Sequence, residues 1–147
     1  MIRSLASFLL LPGVVAYLIP AGLLALSGDL HLQQPVGLVP LVLGTALLIW
    51  CTVEFHSVGR GTLAPWAPPE RLVTSGLYRY SRNPMYVAVA LILIGWALTA
   101  WSVALLVYAC GVSIAFHLRV TRYEEPTLAR LFGDEWLGYR SRTRRWL

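Results

Sequence analysis

Hydrophobic and polar positions alternate along this chain in long blocks, not at the short periods of a soluble fold. Leu5 to Leu26 runs 22 residues without a charge, Val36 to Val53 runs 18, and Met85 to Phe116 runs 32. At about 20 residues per bilayer crossing, each of the first two is one span. Pro12 and Pro20 interrupt the first, which neighbouring helices in a membrane accommodate with kinks. The third would be roughly 48 Å of helix at ~1.5 Å per residue. A single helix of that length needs a tilt of about 50° to fit a ~30 Å core, outside the usual range of roughly 0–40°. Two helices joined by a turn near Thr99 to Ser102 fit better, with Trp96 and Trp101 at the far interface, although no Gly or Pro marks that turn. The pattern predicts spans at about 5–26, 36–55, 84–98 and 101–120.

Between these blocks the chain turns. Ser27 to Pro35 holds Gly28, Asp29, His31 and Pro35, a short loop. Glu54 and His56 close the second run at the interface. Gly59-Arg60-Gly61, Pro65, Trp66, Pro68 and Pro69 then forbid a long helix, so the chain lies along the surface there, with Trp66 as an anchor. Past the last span, two short amphipathic helices are expected. Pro126 suits a first helical position and pushes Glu125 out of helix, so a break falls there. Leu128, Leu131 and Phe132 share one face, Gly133 closes that helix, and Asp134 caps the next.

Charge fixes the number of crossings. All twelve basic residues are arginine, against 7 acidic ones, for a net +5. With four spans, Arg3, the loop holding Arg60, Arg71, Arg79 and Arg82, and the tail from Arg119 onward share one side, leaving Asp29 on the other. Three spans would put arginines on both sides. The positive-inside rule selects four, with both termini cytoplasmic. The fold class is thus an all-α integral membrane protein: four transmembrane helices and a C-terminal cytoplasmic amphipathic helical tail, in one domain over 1–147. A composition 57% hydrophobic and 13% charged agrees. Nucleic-acid binding is set aside, because the arginines flank apolar runs instead of forming a basic stripe. Cys51 and Cys110 lie inside apolar runs, behave as small hydrophobes and show no metal-ligand spacing, so no metal is expected. The first run is longer than a signal-peptide core of about 7–15 residues, which favours a retained span. The closing RRWL is not a lipidation box. A chain without lysine and rich in Leu, Ala, Gly and Arg points to a GC-rich bacterial genome, hence a bacterial inner membrane.

Two polar stretches hold the candidate chemistry. Leu72 to Tyr86, LVTSGLYRYSRNPMY, sets Arg79 and Arg82 among Tyr78, Tyr80 and Tyr86 just before the third span. Arg122 to Gly133, RYEEPTLARLFG, carries Glu124 and Glu125, with His117 and Arg119 one or two turns earlier. A topology signal requires the arginines but not the interleaved tyrosines, glycine and Asn-Pro helix start. Ionisable groups at span ends are functional candidates because their desolvation has to be offset. The bland alternatives are a solvated acidic pair neutralising arginines, tyrosines as interface anchors, and His117 as a helix-end hydrogen-bonding residue. The chain has no HExxH, no GxxxxGK[ST] and no serine-hydrolase elbow.

LVTSGLYRYSRNPMY followed by a hydrophobic hairpin and RYEEPTLARLFGDEWLGYRSRTRRWL resembles the isoprenylcysteine carboxyl methyltransferase family, and is similar to the phosphatidylethanolamine N-methyltransferases, over about the C-terminal half. The resemblance implies a membrane enzyme using S-adenosyl-L-methionine, with S-adenosyl-L-homocysteine as product. It implies cofactor contacts from Glu70, Arg71, Leu72, Val73 and Tyr78, from Asn83, Pro84, Met85 and Tyr86, and from Glu124, within segments 70–86 and 117–140. Two positions depart from the family. Its histidine is Asn83, which hydrogen-bonds but does not titrate. Its substrate arginine falls on Val120, with Arg119 adjacent as the stand-in. Arg119 and Glu125 are accordingly the expected catalytic residues.

The residue types suit that chemistry. Adenosylmethionine carries a sulfonium, an ammonium and a carboxylate, which call for a glutamate, aromatic faces, and cationic or backbone donors. A carboxylate acceptor needs no general base, whereas an amine acceptor must lose a proton, to Glu125 or His117. The sequence therefore predicts methyl transfer to a membrane-embedded amphiphile, foremost O-methylation of a prenylcysteine-like carboxylate. The alternatives are N-methylation of a phospholipid or other amine, and a non-enzymatic scaffold whose arginines bind anionic membrane lipids.

Overall fold

The computed structural model describes residues 12–27, 34–59 and 71–147. The start of the first expected span, the Asp29 turn, and the loop from Arg60 to Glu70 with Trp66 lie outside the described residues. Everything regular among the described residues is helical. Helix α1 covers Val14–Ser27, α2 Leu38–Gly59 after a single 3₁₀ turn at Pro35–Gly37, α3 Pro84–Thr99, α4 Val103–Arg119 and α5 Glu125–Arg142.

Helices α2 and α3 form the tightest pair because glycine lets their backbones meet. A Cβ at Gly44 would lie 2.8 Å from the Ala88 carbonyl oxygen, and one at Gly95 would lie 2.6 Å from the Leu41 nitrogen. Small residues at such crossings permit the close van der Waals contact that holds helices where the surroundings are apolar. Around this seam Ala16, Leu48, Ala88, Val89, Ile92, Leu93 and Ala109 make the main core. The hairpin between α3 and α4 turns at residues 100–102, inside the predicted range. In place of Gly or Pro, Trp101 itself takes a left-handed φ of 50°, and Ser102 caps α4 by accepting from the Leu105 amide at 3.4 Å.

Two prolines shape the helices in one way. Val14–Leu18 and Val120–Glu124 are wound as π-helix, and each segment ends two residues before a proline, Pro20 and Pro126. A wider turn relieves the clash of the proline ring with the preceding carbonyls. In the first segment Pro20 has no amide to give the Val15 carbonyl, and the Tyr108 hydroxyl donates to it instead at 3.0 Å. In the second, Glu125 stays helical at φ −60°, ψ −44°, so the break expected before Pro126 does not occur. The chain passes from α4 into α5 without interruption, because the π turn absorbs the proline. The real interruption is at Gly133, where φ 47° and ψ −118° leave the helical region.

Among the described residues, two helical runs are long and apolar enough to cross a membrane, Pro35–Phe55 and Val103–Arg142, the latter kinked at Gly133. Their apolar windows are only 22% and 17% buried, unlike a core helix of a soluble protein. Val14–Ser27 and Pro84–Thr99 are apolar but shorter.

Candidate functional site

The site region begins where the chain returns from α2. Gly76 takes φ 53°, a left-handed conformation that suits glycine, and starts a 3₁₀ turn over Gly76–Arg79. The turn drives Tyr78 inward, against Phe55 at a 6.3 Å ring separation and beside Cys51 and Val73. The Tyr139 hydroxyl donates to the Tyr78 carbonyl at 2.7 Å, tying the turn to α5. Residues 81–83 then run beside the end of the chain. Ser81 and Arg144 form a parallel bridge, the Arg82 amide donates to the Arg144 carbonyl at 2.9 Å, and Asn83 Nδ2 donates to the Arg145 carbonyl at 3.0 Å. Asn83 thus stands at the start of α3 with its side chain spent on this strap and not on capping the helix.

Pro84 opens α3, a position where its missing amide costs nothing, and Tyr86 follows within the first turn. The Tyr86 hydroxyl donates to Glu124 Oε1, and Arg119 Nε donates to the same oxygen at 2.8 Å. Residues five apart do not share a face of an α-helix. The π turn between them brings Arg119 and Glu124 into register, as π turns do at many functional sites. The Tyr86 ring stacks on Phe116 at 4.4 Å, and the Arg119 guanidinium lies 5.6 Å from the centre of the Tyr123 ring. Glu124 Oε2 carries no hydrogen bond among the described residues. The node is therefore a carboxylate with one occupied and one open oxygen, between aromatic faces, where α3 meets α4.

Glu125 points elsewhere. Its carboxylate is buried and takes both Arg145 donors, Nε and Nη2, at 2.9 Å, with Arg82 Nη1 at 3.1 Å. Arg82 is itself nine-tenths buried, lies 5.5 Å from the centre of the Trp136 ring, and its Nε and Nη1 make no aligned hydrogen bond among the described residues. Burial alone would raise the Glu125 pKa. The Arg145 hydrogen bonds and the Arg82 charge outweigh it and hold the carboxyl below its ordinary value. A carboxylate held so is a poor proton acceptor near neutral pH, which argues against the base role expected of it. Burial, seconded by neighbouring groups that include Glu54 and Glu124, pushes the Tyr78 phenol well above its ordinary value, so it stays neutral.

Of the residues the resemblance implies, Tyr86, Glu124 and Arg119 converge directly. Val73, Tyr78 and Met85 pack together one step away, against Cys51 and Phe55 of α2. Pro84 is buried, Leu72 is half-buried and Arg71 is exposed. Glu70 lies outside the described residues. Sequence reasoning did not single out Arg145, Tyr139 or Trp136, which hold the loop from the far end of the chain, nor Glu54, whose carboxylate accepts from Ser75 Oγ at 2.7 Å and Trp50 Nε1 at 3.1 Å. The only available signal was for Glu54, an acidic residue at the end of an apolar run.

Comparison with known families places residues 32–135 on the phospholipid methyltransferase family model, well over half the chain. No curated protein and no solved structure matches.

Proposed function

Because this chain belongs to the phospholipid methyltransferase family, the group to which its two polar motifs point, we propose that it is an S-adenosyl-L-methionine-dependent methyltransferase of the membrane, acting on an embedded amphiphile from a site at the Tyr86–Glu124–Arg119 node. The observation that carries this reading is the convergence of that node from two segments 38 residues apart. The residues present suit the methyl donor: an open carboxylate oxygen for a cationic ligand, aromatic faces at Tyr86 and Phe116, and the turn over 71–78 beside them. When bound, adenosylmethionine supplies a methyl group on a positively charged sulfur. The chain's own work is to bind and orient. Glu124, steered by Arg119 and Tyr86, meets the positive end of the donor. The Tyr86–Phe116 wall keeps water from the reacting face, and the strap through Asn83 fixes where Tyr86 begins α3. In this reading α1 to α4 are the four spans, with both termini, the node and the strap on the cytoplasmic side, as the arginines require.

For the acceptor, Arg119 is committed to Glu124 at 2.8 Å, and Val120, where the isoprenylcysteine enzymes carry their substrate arginine, is fully buried. Neither presents a dedicated cation to a carboxylate. This favours an amine-bearing lipid headgroup over the prenylcysteine-like carboxylate. Glu124 Oε2 is then the best-placed proton acceptor, since Glu125 is held by its arginines. The test is calorimetric binding of S-adenosyl-L-methionine, which carries the sulfonium, in lipid nanodiscs, wild type beside Glu124→Gln. Saturable binding in the wild type, weakened at least about tenfold in the variant, is expected for loss of a charged hydrogen-bond partner. A folded wild type that binds none overturns the proposal. Methyl transfer assayed with ethanolamine lipids and with prenylcysteine analogues then identifies the acceptor.

A further inference from the structure

Glu54 sits at the end of α2 with its carboxylate laid directly on the turn that carries Tyr78. Ser75 Oγ donates to Oε1 at 2.7 Å, Trp50 Nε1 donates to Oε2 at 3.1 Å, and a Cβ on Gly76 would collide with the carboxylate itself. The turn is built to accept this group: glycine leaves the space, and its left-handed φ of 53° shapes the loop around it. Among the described residues no cation lies within ion-pair distance of Glu54, whereas Glu124 is paired with Arg119 and Glu125 with Arg82 and Arg145. A hydroxyl and an indole N–H need only a neutral acceptor, which an amide oxygen would supply. Anchoring the turn therefore explains an oxygen at this place but not a full negative charge, which remains available to a positive group.

The position says what that positive group belongs to. Glu54 contacts Ser75 and Gly76, between Val73 and Tyr78, and Tyr78, Met85 and Cys51 share one cluster. The charges of both Glu54 and Glu124 are felt at the Tyr78 phenol, although burial acts on it more strongly. Glu54 thus lies on the turn that carries Tyr78, and Tyr78 packs with Met85, the neighbour of Tyr86. The methyl donor has two positive centres, the sulfonium and, a few bonds away, the α-ammonium. Resting on the donor-site reading above, we infer that Glu54 is a further binding residue of that site and that its carboxylate receives the donor's α-ammonium group.

The test compares two ligands on three nanodisc-embedded proteins by calorimetry. S-Adenosyl-L-homocysteine bears the α-ammonium; 5′-methylthioadenosine keeps the nucleoside and thioether but lacks the amino acid. Glu54→Gln preserves an acceptor for Ser75 and removes the charge. It is expected to raise the Kd for S-adenosyl-L-homocysteine about tenfold or more and to leave that for 5′-methylthioadenosine unchanged. Ser75→Ala removes the anchoring hydroxyl and keeps the charge, so it shifts both ligands by the same factor. Equal weakening of both ligands by Glu54→Gln, or no weakening, overturns the inference while wild-type binding keeps the donor site standing. A wild type that binds neither ligand sinks the donor site and this inference together.

Discussion

Replacing Glu125 by glutamine tests the ion-pair assembly that locks the polar loop to the end of the chain. The Glu125 side chain is 11% exposed and takes two Arg145 donors at 2.9 Å. Arg82, at 3.1 Å with its side chain 9% exposed, has nothing else to balance its charge among the described residues. Breaking a buried pair from one side costs about 3–5 kcal/mol, because the other charge stays buried without a partner. Arg145 is 31% exposed and can regain water, and glutamine keeps one acceptor oxygen. The expected loss is therefore about 2–3 kcal/mol, just below that range. For a chain of this size that is a fall of about 5–10 °C in apparent Tm, read by thermal unfolding in detergent at pH 7. Trypsin cleavage after Arg142 and Arg144 should quicken in parallel. The pH dependence follows from the carboxyl's lowered pKa in the fold. Its stabilisation is complete above the ordinary value of 4.5 and is lost as pH falls through the lower folded-state value. The wild-type and variant Tm curves should therefore converge in acid. A variant as stable as the wild type at pH 7, with parallel curves into acid, would refute the assembly.

Two further outcomes are expected. Gly95→Leu drives a side chain into the Leu41 backbone and should destabilise the α2–α3 pair by about 3 kcal/mol, whereas Gly111→Leu, with nothing within 4 Å, should stay within about 0.5 kcal/mol; thermal unfolding and monodispersity in detergent read both. Tyr86→Phe keeps the ring on Phe116 and deletes the hydroxyl given to Glu124, so S-adenosyl-L-methionine should bind about tenfold more weakly while stability falls by only about 1 kcal/mol, checked by calorimetry beside unfolding.

The helices were legible because their cause is local. Uncharged runs of helix length announce themselves, and α2, α3 and α4 begin and end within a few residues of the expected bounds. The hairpin turn was placed by length alone, since Trp101 in a left-handed conformation leaves no sequence mark. That Tyr86 and Glu124 serve one site followed from the resemblance, though not that the hydroxyl reaches the carboxylate directly. The direction of Glu125 did not: a proline reads as a helix break, and whether the chain breaks or widens by one residue depends on what the widened turn can reach. The strap was hidden for another reason. A single bridge between Ser81 and Arg144, and side chains spent on backbone carbonyls, produce no periodicity, and RTRRWL reads simply as a basic tail.

That strap also orders events in time. The hydrogen bonds joining residues 78–83 to residues 139–145 span 61 to 64 positions along the chain. At about 5–20 residues per second, the ribosome delivers the second half of each bond roughly 3–13 s after the first. Throughout that interval α3 and α4 can be made and inserted, while the Tyr78 turn and Asn83 still lack Tyr139 and the Arg145 carbonyl. The proposed donor site is consequently among the last parts of the molecule to be completed, and a nascent chain stalled before residue 139 is expected to be membrane-inserted but unable to retain an adenosyl ligand.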